Sequence, residues 1–256
     1  NIKHDGRVMR KFISFSTFII LFSIISSCAG TQGERSGPVN TENYSGDIRV
    51  ACVGNSITFG SGIQDREQSS YPAQLDDMLG GEWDVRNFGV SGATMLKNGD
   101  KPYWEQDAFQ KALDFEPHVV IIKLGTNDSK PINWKFRDEF IPDYRDMIQR
   151  FEELPSNPRI WACYPVPAYE VRWGIRNHVI TEEVIPRVRA AARAEGVPVI
   201  NLYAVLDERE ELFPDKVHPN AEGAREMAKK IYEVLTGETY ASTSPDNVEY
   251  QLQAIR

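Results

Sequence analysis

The chain has 256 residues, 41% of them hydrophobic and 11% aromatic, with 18 glycines and 15 prolines. This composition suits one globular domain and excludes a collagenous, low-complexity or disordered polypeptide. The formal charge of −8 comes from 29 Lys and Arg against 37 Asp and Glu. The basic residues form no block of five or more, which argues against nucleic acid as a partner, because such binding needs a clustered cationic footprint.

The N-terminal region is set apart from the folding body. Arg7, Arg10 and Lys11 precede an uncharged run over residues 12–27, and the small residues Ser26 and Ser27 lead into Cys28. A run this short falls below the ~20 residues of a membrane-spanning helix and reads as a secretory signal over residues 1–27. Met9-Arg10-Lys11 reads as a translation start, which would leave residues 1–8 upstream of it. Ile25-Ser26-Ser27-Cys28 resembles the lipobox of bacterial lipoproteins, and that resemblance implies lipidation at Cys28 and an exported protein, periplasmic or at the cell surface, held to a membrane only by its lipid. Removing residues 1–27 takes away four basic residues and one acid, so the body left behind is more acidic still and repelled by anionic headgroups. Residues 28–46, rich in Gly, Ser, Thr and Asn, read as a flexible tether, and residues 238–256 as a polar tail.

From residue 47 to 237 the pattern alternates. Short apolar runs at residues 48–53, 83–88, 118–124, 159–163 and 197–202 are rich in β-branched residues and predict strands covered on both faces. Helical patterning fills residues 71–79, 104–115, 136–154 and 180–195, and a last helix at 221–235 has Asn220 as its N-cap and Gly237 beyond its end. Connections of this length make neighbouring strands parallel. The expected architecture is an α/β fold: a three-layer α/β/α sandwich with a five-stranded parallel sheet in flavodoxin-like order. Cys52 and Cys163 each fall inside a predicted strand and read as inert core thiols, not as a disulfide. In such sheets ligands bind outside the carboxyl ends of the strands, so the residues that follow each strand are where chemistry is sought.

Gly54-Asn55-Ser56-Ile57-Thr58-Phe59-Gly60 follows the first run. Glycines flanking a serine at a strand-to-helix turn present its hydroxyl above the sheet, although a serine there also serves as an ordinary helix cap. The segment is not the GxSxG elbow of α/β-hydrolases, since Thr58 stands where that motif has glycine. Ser91-Gly92 follows the second run, and Gly125-Thr126-Asn127-Asp128 the third. The amide of Ser56, an approachable amide at Gly92 and the side-chain amide of Asn127 would converge as three donors, the arrangement of an oxyanion hole. Of the four histidines, His4 lies in the signal, His118 opens a strand and His178 begins a helix. His218, three residues after Asp215 in a loop before the last helix, is the remaining candidate base. An i, i+3 pair on a tight turn lets the carboxylate hold one ring nitrogen while the other faces a serine.

Gly-Asn-Ser, Ser-Gly, Gly-x-Asn-Asp and Asp-x-x-His-Pro occur in this order, each after a strand. The combination resembles the SGNH (GDSL-type) hydrolase family over residues 47–236. The resemblance implies Ser56 as nucleophile, His218 as general base and acid, Asp215 as its orienting carboxylate, and Ser56, Gly92 and Asn127 as the oxyanion hole, with no metal or organic cofactor. Asn55 departs from the aspartate most usual there. The activity implied is a serine esterase, most of all one removing acetyl groups from carbohydrates. Two loops, residues 94–104 and 164–176, would shape the pocket, and Tyr103, Trp104, Trp134, Tyr164, Tyr169 and Trp173 offer flat faces for stacking on sugar rings, with core packing as the alternative use of such residues. No long apolar lid is present. A lysophospholipase, thioesterase or arylesterase of the same superfamily, and a non-catalytic glycan-binding lipoprotein, are the alternative readings; the oligomeric state is left open.

Overall fold

A computed structural model describes residues 36–241. The signal segment, the lipidation residue Cys28 and the tail beyond residue 241 lie outside the described residues. Five strands, β1 (Ile48–Gly54), β2 (Trp83–Gly89), β3 (Val119–Lys123), β4 (Arg159–Cys163) and β5 (Val199–Ile200), form one sheet. Their order is β2-β1-β3-β4-β5 and every pairing is parallel. The expected flavodoxin-like sandwich is therefore observed.

Alternation along the strands builds both layers. Ala51, Val53, Val120, Ile122, Ile160 and Ala162 pack with α3 (Asp107–Asp114), α4 (Phe140–Glu152) and α5 (Ile185–Glu195). The intervening residues Val50, Cys52, Val119, Ile121, Trp161 and Cys163 pack with α2 (Tyr71–Leu79) and α6 (Ala221–Thr236). Side chains point to opposite faces at period two, so a strand buried on both sides reads as a continuous apolar run. A four-residue α1 (Ser56–Phe59) follows β1 directly. Cys52 and Cys163 are free and buried, and burial pushes the Cys52 thiol up to about 12.

Beyond shifted ends such as Asp107–Asp114 for 104–115 and Phe140–Glu152 for 136–154, three regions differ from expectation. β5 covers only Val199–Ile200, because Asn201 turns the chain into a short helix at Leu202–Leu206 and accepts a hydrogen bond from the Ala204 amide at 3.0 Å. The helix expected from residue 180 starts at Asn177 and passes through a π turn at Ile180–Val184 before α5. The described part of the expected tether is strapped to the body. Val39 is buried and its amide donates to the Leu235 carbonyl at 2.7 Å, Arg159 donates to the Pro38 carbonyl at 2.8 Å, and the Tyr44 ring lies 4.8 Å from that of His118. One apolar side chain and one guanidinium outweigh the polar composition that reads as a linker.

Candidate active site

The site lies at the carboxyl ends of β1, β2 and β3, and Ser56 reaches it because β1 runs straight into α1. Asn55 caps that helix, its Oδ1 accepting from the Ile57 amide at 3.1 Å. The approach is tight enough that a Cβ on Gly89, at the end of β2, would collide with the Phe59 amide nitrogen.

Across from it, the loop before α6 delivers the other two groups. Asp215 Oδ1 accepts from the backbone amides of Val217 and His218 at 3.0 and 2.7 Å, which folds the Asp-x-x-His turn around its own carboxylate. Lys216 takes a left-handed φ of 70° inside it. Asp215 Oδ2 lies 2.8 Å from His218 Nδ1, and His218 Nε2 lies 2.8 Å from Ser56 Oγ. With the carboxylate accepting from Nδ1–H, Nε2 carries the lone pair that faces the serine hydroxyl. Burial by itself would raise the Asp215 carboxyl, but hydrogen bonds from the His218 amide and ring and from the Val217 amide hold it below its ordinary value.

The expected anion donors lie in the turns that follow β2 and β3. Gly92 has φ 83°, a conformation in which a side chain would be strained. Asn127 is buried, and one of its Nδ2 hydrogens donates to the Ala93 carbonyl at 3.0 Å, which ties the turn after β3 to the turn after β2 and leaves the second hydrogen free to act. Two further residues, given no role in the sequence reading, brace this arrangement. Asn133 Nδ2 donates to the Asn127 carbonyl and to Asp100 Oδ1, both at 2.9 Å. Asp128 receives the amides of Met95 and Leu96 at 3.1 and 2.8 Å, while burial pushes its carboxyl up to about 6. Their signal was present in the polar run after the third strand, but which loop they would grip was not.

The six candidate aromatics separate by exposure. Tyr103 and Trp134 are buried and donate to the Phe88 carbonyl at 2.7 Å and to Glu183 at 2.9 Å. Tyr164 is buried under Arg189, which donates to its hydroxyl at 2.8 Å. Trp104 donates to the Met95 carbonyl and Tyr169 accepts from the Arg209 amide. These five brace loops. Trp173 is 56% exposed, with φ 52°, and its ring centroid stands 5.4 Å from that of His218. A bulky residue held in the left-handed region is strained, and such strain collects at functional sites. Arg172 stacks over the indole at 5.0 Å and donates to the Asp215 carbonyl at 3.3 Å, linking the aromatic to the histidine loop. Of the other histidines, His118 accepts from the Arg49 amide at the amino end of the sheet, and His178 is exposed. Neither joins the site.

Comparison with known proteins agrees with the geometry. Residues 52–226 match the GDSL-like lipase/acylhydrolase family. An acetylxylan esterase from Xylanibacter ruminicola is 44% identical over 202 residues, covering 72% of this chain and 42% of that protein. The chain thus spans less than half the length of that relative. Among solved structures, an aryl esterase from M. smegmatis aligns with TM-score 0.60 at 17% identity over 73% of this chain and 99% of that one. A carbohydrate acetylesterase from Sinorhizobium meliloti aligns with TM-score 0.57 at 16% identity over 73% and 97%. The chain belongs to the GDSL-like lipase/acylhydrolase family, a family of carboxylic ester hydrolases.

Proposed function

We propose that this protein is a serine esterase that removes acetyl groups from a carbohydrate through an acyl-enzyme. The observation that carries the reading is the unbroken hydrogen-bonded line from Asp215 through His218 to Ser56, opening beside the exposed face of Trp173. His218 takes the Ser56 proton as Oγ attacks the ester carbonyl. The oxyanion is held by the amides of Ser56 and Gly92 and by Asn127 Nδ2, and His218 returns the proton to the departing sugar hydroxyl. Water then attacks the acyl-serine with the same base, releasing acetate. The name of the Xylanibacter relative supports xylan as the carrier of the acetyl group, and an indole face suits the apolar face of a pyranose ring.

The test is acetate release from acetylated xylan and acetylated oligosaccharides, beside p-nitrophenyl esters of increasing chain length. Release from sugars that falls steeply beyond short acyl chains is expected; a preference for long chains or lysophospholipid would move the assignment to lipid hydrolysis, and no turnover would favour a binding protein. In the same assay Trp173→Ala should raise KM for acetylated xylan about threefold to tenfold, the worth of one aromatic contact, with a smaller change for p-nitrophenyl acetate. An unchanged KM on xylan would remove Trp173 from the sugar site.

We further propose export and lipid anchoring at Cys28, on the strength of the Ile25-Ser26-Ser27-Cys28 motif. Cys28→Ser protein should appear in the soluble fraction once its signal is removed. Continued fractionation with membranes would defeat the anchor.

A further inference from the structure

Lys123 is the last residue of β3 and is completely buried. It alternates with Val119 and Ile121, which places it on the α2 and α6 face, and it pairs in register with Gly54, next to the Asn55-Ser56 turn. Among the described residues no carboxylate pairs with it. The titratable neighbour that acts on it is the Cys163 thiol, which burial keeps protonated. The same burial lowers the Lys123 amine to about 7. An apolar side chain of the same length would fill this slot without desolvating an amine, so the contacts of the nitrogen call for an explanation.

Those contacts are two. Nζ lies 3.3 Å from Asn55 Oδ1 and 3.4 Å from Thr126 Oγ1. Asn55 Oδ1 is the oxygen that caps α1, and Thr126 immediately precedes Asn127. The Asn55 amide is thus used unevenly: its oxygen accepts twice, while its Nδ2 is buried with no partner. Turning the amide over would set that NH₂ against the Ile57 amide, which can only donate, and would take the oxygen away from Lys123. The Ile57 amide and the lysine thus share the Asn55 oxygen in the orientation that caps the nucleophile's helix.

We propose that Lys123 is a positioning residue, whose amine ties the capping amide of Asn55 to the Thr126 hydroxyl and so fixes the spacing between Ser56 and the anion donor Asn127. The role rests on the esterase reading above. Misplacement of catalytic groups by a fraction of an ångström is felt in turnover more than in binding.

Lys123→Met keeps an unbranched apolar chain out to Cε and removes the amine. Its kcat on p-nitrophenyl acetate should fall about tenfold or more, with KM within about twofold and Tm equal to or above that of the parent. Thr126→Val should lose a few-fold, and the double variant should be no slower than Lys123→Met alone, since both changes cut one tie. A purely structural lysine would instead lower Tm and leave the turnover of the folded fraction intact. A kcat for Lys123→Met within about twofold of the parent, or losses that multiply in the double variant, would overturn the proposal. If Lys123→Met does not fold, Thr126→Val decides, and an undiminished kcat overturns it. Labelling of the parent with a fluorophosphonate separates the two levels: no labelling and no turnover defeats the esterase reading itself, whereas equal labelling rates for parent and Lys123→Met defeat only the positioning role.

Discussion

Ser56→Ala lowers kcat on p-nitrophenyl acetate by about 10⁴-fold or more, His218→Ala does nearly the same, and the two together lose little beyond either one. The reason is in the hydrogen bond between Oγ and Nε2 at 2.8 Å: a serine without its base is an ordinary alcohol, and an imidazole without the serine has nothing to activate. Asp215→Asn should lose about ten- to a hundredfold less than His218→Ala, because the amide oxygen at position 215 can still accept the two backbone amides that shape the turn. Steady-state kinetics with Tm measured on each variant checks this. Substantial turnover by folded Ser56→Ala would eliminate the serine mechanism, and equal losses at 215 and 218 would mean that Asp215 does more than orient the ring.

Asn127→Ala should cost about 10²–10³ in kcat with little change in KM, the effect of removing one preorganised donor to a developing oxyanion. The donor is preorganised because its other hydrogen is committed to the Ala93 carbonyl and its own carbonyl is held by Asn133. Asn127→Asp is the sharper variant: similar in shape, but it puts a carboxylate where negative charge develops, so its kcat should fall below that of Asn127→Ala. Values of kcat/KM within about fivefold of the parent for both folded variants would take Asn127 out of the anion site.

Periodicity carried most of the fold. β4 and α2 have the boundaries expected from their apolar runs and flanking breakers, and α6 runs from its Asn220 cap to Gly237. What failed was set by single contacts. Asn201 could continue β5 or cap a helix, and only its bond to the Ala204 amide decides. Residues 37–44 have the composition of a linker, yet Val39 finds an apolar slot and Arg159 finds the carbonyls ahead of it. At the site, the order of four short motifs pointed to Ser56, Asp215 and His218, and the structure brings those side chains together. The uses of the aromatics stayed hidden, because a tyrosine that braces a loop and a tryptophan that greets solvent look alike in a string of letters. Lys123, inside an apolar run, drew no role from the sequence, because its partners lie 68 and 3 residues away and only the fold brings them together.

The strap over residues 37–44 grips the amino pole of the sheet, where β3 and β4 begin, whereas Ser56 stands at the far pole, the seven residues of β1 away, or about 23 Å at the rise of an extended strand. Tension applied ahead of residue 36 would be borne by Arg159 and Leu235 and would not reach the nucleophile's turn.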